Sequence, residues 1–173
     1  MALRGHNIAA APTEPTVRFL IATCGPCMLA VPSDWIRGIL TREEAGSAQV
    51  VTSAGTTYPL TSLTDRLRLS SRADSSDTRL ILYGNGTCAR AFTVDEVIEL
   101  IDVDRRDLRP LPAHFKGAER TRLSGFLFYG SAMALIVNPL WLLETTGRMD
   151  TFQSRTTLQL DETRGTLQDP ALV

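Results

Sequence analysis

Apolar positions in this chain fall in short runs rather than in long stripes at helical spacing, and glycine, proline or small polar residues punctuate them. Val17 to Thr23 is a β-branched and apolar run that stops at Gly25-Pro26, and Met28 to Val31 reads as the return strand of a hairpin. Pro32 to Ile36 reads as a turn into Ile39-Leu40, Thr41 to Ser47 as a loop, and Gln49 to Ser53 and Tyr58-Pro59-Leu60 as short strands on either side of Gly55. In Thr61 to Leu69 apolar residues stand three to four apart, which predicts one short helix. Ser70 to Asp77 is small and polar, the best internal linker. The strand pattern then restarts: Thr78 to Tyr83, a tight turn at Gly84-Asn85-Gly86, and Cys88 to Phe92. Val94 to Val103 continues as an apolar run with acidic interruptions, and Asp104 to Pro112 is irregular. Leu123 to Tyr129 and Met133 to Val137 flank Gly130-Ser131 as a last hairpin, and Pro139 to Leu143 can make one helical turn with proline at its first position.

Strands this short and this regularly spaced predict an all-β fold of small barrels or a sandwich. A faint internal repeat adds to this. Strand, glycine turn, strand and a β-branched pair occur at 17 to 36 and again at 78 to 98, which points to two similar β lobes in one chain. The first sixteen residues and residues 144 to 173, the latter Thr-rich and polar, read as flexible tails around a domain at 17 to 143.

Composition narrows the function classes. The 173 residues are 43% hydrophobic, enough for a core, and carry 18 basic against 19 acidic side chains. That balance argues against nucleic-acid binding driven by overall charge. No apolar run is long enough to cross a bilayer, and the run at Ile8 is too weak for a signal peptide, so a cytoplasmic location without membrane insertion is the expectation. Two histidines and three cysteines leave little material for a metal site, and no cofactor motif is present, so neither is expected.

One motif carries chemistry. Cys24-Gly25-Pro26-Cys27 has the CxxC spacing of thioredoxin-like thiol-disulfide oxidoreductases, in which a helix N-terminus lowers the pKa of the first thiol. The context opposes it: only 23 residues precede the motif, and a short apolar run and Pro32 follow it instead of a long amphipathic helix. A glycine-proline hairpin turn between two half-buried thiols is the preferred reading, with the oxidoreductase kept as the rival. The acidic residues Asp95, Glu96, Glu99, Asp102 and Asp104 alternate faces and read as a solvated strand, with Arg105, Arg106 and Arg109 beside them. His114 has no nucleophile partner in sight.

The most specific stretch is Val94-Asp95-Glu96-Val97, the β run to Ile101, and then Leu108-Arg109-Pro110-Leu111-Pro112. It resembles the CheW-like domain of bacterial chemotaxis proteins. Phe19-Leu20, Leu29-Ala30-Val31-Pro32 and Ile36 to Ile39 resemble that family's first hairpin and the strand after it. Val50 to Leu63, with Gly55 and Pro59, resembles its next segment, and Ser124-Gly125 with Ala134 to Leu143 resembles its closing hairpin and helical turn.

The resemblance implies two five-stranded β barrels around a shared core. It implies a non-enzymatic scaffold that joins the cytoplasmic tip of a methyl-accepting chemoreceptor to the regulatory domain of a CheA-type histidine kinase. Carried over by position, the partner-binding candidates are Ile36, Gly38, Ile39, Gln49, Val50, Ala54, Gly55, Val94, Asp95, Val97 and Leu100. Ile36, Ile39, Val50 and Leu100 are the candidates for an apolar groove taking the receptor's helical tip, with ordinary barrel core as the alternative. The chain departs from the family pattern at Gly38, where an acidic residue is usual, at Ala54, where arginine is usual, and at Ser62, where aspartate is usual. The first two positions can form a salt bridge. Losing both partners together costs less than losing one.

Overall fold

The computed structural model describes residues 15–45, 49–70 and 77–144. The tails expected at both ends lie outside these residues, apart from the few that adjoin the domain, and so does most of the expected linker.

Ten strands and four short helices follow in order: β1 (Thr16–Cys24), β2 (Cys27–Pro32), β3 (Ile36–Thr41), α1 (Arg42–Ala45), β4 (Val50–Ser53), β5 (Thr56–Ser62), α2 (Leu63–Leu67), β6 (Arg79–Gly84), β7 (Ala89–Val94), β8 (Glu96–Asp104), α3 (Ala118–Arg122), β9 (Leu123–Tyr129), β10 (Ala132–Val137) and α4 (Pro139–Leu143). Single 3-10 turns at Ser33–Trp35 and Arg105–Asp107 precede β3 and follow β8.

The strands form two five-stranded sheets, ordered β8-β1-β2-β10-β9 and β3-β6-β7-β5-β4. The two orders are one pattern written twice. Each sheet has a hairpin at its centre, a third strand antiparallel to the first of that hairpin, and a second hairpin entering parallel to the other side. The repeat read at 17 to 36 and 78 to 98 is therefore real, and it covers each half of the domain. The halves also exchange strands. The first half places β1–β2 in one lobe and β3, β4 and β5 in the other, and the second half does the reverse.

Burial follows from that exchange. Central strands are covered on both faces, which is why β1 and β6 read as nearly unbroken apolar runs. One face of each sheet fills the interior of its own lobe: Phe19, Ile21, Ala30, Leu127, Ala134 and Ile136 in the first, Val51, Tyr58, Leu80, Leu82 and Ala91 in the second. The other face builds a core shared by both lobes. Leu20, Ala22, Cys24, Leu29 and Val31 meet Ile81, Tyr83, Phe92 and Val94, and Leu63 of α2 with Trp141, Leu142 and Leu143 of α4 completes it.

Closure into barrels is partial. Neither strand order joins its own ends, but in the first lobe the chain beyond β8 returns to β9, where Arg109 and Phe126 exchange backbone hydrogen bonds of 2.8 and 2.9 Å. Gly125 permits this approach, since a Cβ there would stand 2.5 Å from the Arg109 carbonyl oxygen.

Two local expectations change. Thr41 to Ser47 was expected to be a loop, yet Arg42–Ala45 is helical because Thr41 and Glu44 form a capping box: the Glu44 N–H donates to Thr41 Oγ1 at 3.2 Å and the Thr41 N–H donates to Glu44 Oε2 at 2.7 Å. The run expected to continue from Val94 to Val103 breaks at Asp95, where the chain passes from one lobe to the other.

Candidate functional site

The edge strands β3 and β8 are equivalent in the two halves, and their registers agree residue by residue. In β3, Ile36 stands opposite Tyr83, Arg37 is the extra residue of a bulge, Gly38 faces Leu82 and Ile39 faces Ile81. In β8, Val97 stands opposite Ala22, Ile98 is the bulged residue, Glu99 faces Ile21 and Leu100 faces Leu20. Both edges therefore carry the same device: a bulge between two apolar residues that share a face with shared-core residues.

Ile36 and Val97 pack against the shared core. Ile39 and Leu100 stand on the same faces one step further along, and they are 42% and 50% exposed. Two apolar strips thus run out from the shared core, one along each edge strand, and end in large aliphatic side chains open to water. Isolated exposed aliphatics are ordinary, but a symmetry-related pair continuous with a core is a surface able to bury more.

The other candidates fall in different places. Val50 is 44% exposed on β4, the opposite edge of the second lobe, and turns away from the interior that its neighbour Val51 fills. Gln49 is exposed at the start of β4, and its carbonyl accepts from the Leu60 N–H at 2.9 Å. Ala54 and Gly55 form the exposed β4–β5 turn, both at positive φ, as a two-residue hairpin of this kind requires. Gly38 faces the interior of its lobe, opposite Leu82.

Val94 and Asp95 have structural work. Val94 is 1% exposed in the shared core and offers no surface to a partner. The Asp95 carboxylate accepts from the Gly25 N–H at 2.6 Å, and the Asp95 N–H donates to the Thr23 carbonyl at 3.0 Å. It ties the passage between lobes to the β1–β2 turn. The bulged Ile98, 37% exposed, belongs beside the strips and was not singled out from sequence, because a bulge has no signature in a run of β-formers.

The acidic residues of β8 are solvated, as expected, with Glu96, Glu99 and Asp102 exposed, but they do not share one face: Glu99 stands opposite Ile21 and Asp102 opposite Arg18. Arg18 binds Asp102 through two contacts of 2.8 and 2.9 Å, and Arg106 binds Asp104 at 2.9 Å. Hydrogen bonds from these guanidinium groups hold both carboxyls below the usual range. No group of three or more metal-ligating side chains occurs among the described residues, and no helix among them is long and apolar enough to cross a membrane.

The two cysteines of the CxxC motif are direct partners across the β1–β2 hairpin. Cys24 ends a strand instead of opening a helix. Its sulfur is buried 2.9 Å from Thr64 Oγ1, and burial pushes its pKa up to about 11. Burial also raises that of Cys27. A thiol that attacks disulfides needs the opposite shift. Both the two-sheet architecture and the thiol environment leave the oxidoreductase reading without support.

A model of the CheW-like domain matches residues 18–146. Among solved structures, the scaffolding protein TtCheW from Thermoanaerobacter tengcongensis superposes with a TM-score of 0.66 at 16% sequence identity, over 78% of this chain and 97% of that one. No curated protein matches the chain.

Proposed function

The chain belongs to the CheW-like domain family, and from that premise we propose that it joins the cytoplasmic tip of a methyl-accepting chemoreceptor to the regulatory domain of a CheA-type histidine kinase. CheW-like domains are scaffold and adaptor domains of chemotaxis signalling, so the work is done by surfaces and not by a catalytic group.

The observation that carries the receptor assignment is the equivalent pair Ile39 and Leu100, half-exposed at the ends of apolar strips on β3 and β8. An amphipathic helix laid along such strips buries its own apolar face against them, with anchors at helical spacing. With glycine at 38 and alanine at 54, the salt bridge usual in the family has no counterpart. Recognition here therefore leans on apolar contact, which fits an accessory member serving a dedicated kinase and receptor.

The test is a binding measurement with the receptor tip and the kinase regulatory domain encoded beside this chain. Covering the exposed half of each aliphatic side chain contributes about 1 kcal/mol, half the value of full burial. The double variant Ile39→Ser/Leu100→Ser removes both, so receptor-tip affinity is expected to fall roughly 30-fold while the fold stays intact. Unchanged affinity in a folded double variant would refute the groove. Failure of the unmodified chain to bind either partner would refute the adaptor role.

A further inference from the structure

β8 is an edge strand, paired along its length only with β1, yet it carries one of the two apolar strips, Val97 and Leu100. Between them stands Glu99, opposite Ile21 and so on the face turned towards the interior of the first lobe. The strand at the far edge of the same sheet is β9, and its last residue, Tyr129, packs against that interior. The Tyr129 hydroxyl donates a hydrogen bond to Glu99 Oε1. This contact spans from the first strand of the sheet to the fifth. With the Arg109–Phe126 backbone pair beyond the end of β8, it closes the lobe at a second level, beside Val97 and Leu100.

Among the described residues, no bond equivalent to Tyr129–Glu99 occurs in the second lobe. Gly38 occupies the position equivalent to Glu99 and has no side chain to bond. The β8 edge is thus latched across its sheet to the far edge strand, whereas on β3 the bulged Arg37 donates only to the Gly84 carbonyl of the neighbouring β6, at 2.9 Å.

We infer that Tyr129 is a positioning residue for the receptor groove, its hydroxyl holding Glu99 and thereby fixing the strand that presents Val97 and Leu100. The inference rests on the groove reading above. Tyr129 touches no partner in it and acts only through β8. A bond from Tyr129 to the Glu99 carboxylate also keeps the phenol proton in place, raising its pKa above the ordinary value.

The experiment uses the full chain and four variants: Tyr129→Phe, Glu99→Ala, Glu99→Gln and Leu100→Ser. Glutamine keeps an acceptor oxygen for the hydroxyl and serves as the conservative rescue. Two readouts are taken, amide hydrogen exchange along the β1–β8 ladder and affinity for the receptor tip. A net hydrogen bond corresponds to a factor of roughly 2 to 10 in an equilibrium. Tyr129→Phe and Glu99→Ala are expected to speed exchange in the β1–β8 ladder by that factor, leave the β3–β6 ladder unchanged, and weaken tip binding by a similar factor. Glu99→Gln is expected to stay near the unmodified chain in both. If Tyr129→Phe leaves exchange and binding unchanged while Leu100→Ser weakens binding, the latch is overturned and the groove stands. If Leu100→Ser leaves binding unchanged, the groove itself fails. A uniform rise in exchange across both sheets would make Tyr129 an ordinary packing residue and overturn the positioning role.

Discussion

Helices α2 and α4 both pack into the shared core, and a cationic side chain bridges them. Arg66 on α2 lays its guanidinium 4.6 Å from the centroid of the Trp141 ring on α4 and 6.0 Å from that of Phe92. Its Nη2 also donates to the Trp141 carbonyl. Because one contact is to the ring and the other to the backbone of the same residue, a double-mutant cycle separates them. Arg66→Met removes the charge and the backbone bond but keeps an unbranched apolar stem. A hydrogen bond from a charged donor contributes about 1.5–3 kcal/mol, and a partly desolvated cation over an indole about 1 kcal/mol more. Methionine packing returns part of this, so a loss of about 2 kcal/mol is expected. Trp141→Leu removes the ring from a site only 8% exposed and leaves the carbonyl in place. Its cost is of similar size, below the 3–5 kcal/mol typical of Trp→Ala.

The informative quantity is the coupling. If the cation sits on the ring as the geometry indicates, the double variant is less destabilised than the sum of the singles by about 1 kcal/mol. Urea unfolding followed by far-UV circular dichroism is the suitable assay, because Trp141→Leu alters fluorescence and leaves Trp35 as the only reporter. Each kcal/mol should also appear as roughly 2–4 °C in Tm at this chain length. Additivity within about 0.3 kcal/mol would refute the stacking argument and reduce the Arg66–Trp141 contact to the bond to the backbone carbonyl.

Four further outcomes follow. Gly25→Ala meets two obstacles, a φ of +57° and a Ser70 carbonyl oxygen 2.5 Å from the new Cβ, and should cost about 3 kcal/mol in chemical denaturation; a neutral result would mean the hairpin shifts freely. Ala54→Gly relieves a positive φ of 48° in the β4–β5 turn; after the backbone entropy glycine adds to the unfolded chain, a net gain of about 0.5 kcal/mol is expected, and a loss would show that Ala54 makes a contact of its own. An aromatic disulfide reagent at pH 8 should label exposed Cys88 first, half-buried Cys27 more slowly and buried Cys24 only on unfolding. The folded state holds the Cys24 proton up to about 11, so that stability is fully present below the ordinary thiol pKa of about 8.5 and is lost as pH rises towards the folded value; the urea midpoint should fall between pH 8 and pH 10.5, and a constant midpoint would contradict this.

Much of the fold could be read in advance wherever a turn residue has one job. Gly25-Pro26 and Gly130-Ser131 end strands where the chain must reverse, and Pro139 opens a helix because its missing N–H costs nothing there. The repeat was visible for the same reason, since both halves begin with a glycine-turn hairpin. The capping box at Thr41 and Glu44 was also legible, though its helix is a single turn and the polar composition there suggested a loop. The bulges at Arg37 and Ile98 had no signal, because either residue suits an ordinary strand and only the register across to β6 and β1 shows the extra one. Nor could sequence place Val94 in the core and Leu100 outside it. Both lie in one apolar stretch, and the break at Asp95 sends them to different lobes. The Glu99–Tyr129 bond joins positions 30 residues apart whose residue types are common on any surface.

The strand exchange explains how the two edge strands β3 and β8 are held. Each edge strand begins just after the chain has left one lobe for the other, and each passage is held by the opposite half. The first passage, Pro32 to Trp35, is met by Tyr83 of the second half, whose hydroxyl donates to the Pro32 carbonyl at 3.1 Å and whose ring meets the Trp35 ring edge-on at 6.1 Å. The second passage, at Asp95, is met by Gly25 and Thr23 of the first half. Each lobe therefore holds the start of the edge strand it receives from the opposite half, so loosening one lobe frees its own edge strand first, and the shared core resists both. On the proposed receptor reading, edge strands fixed in this way would spend little ordering free energy when a helix docks, so even two half-exposed aliphatic anchors would register as affinity.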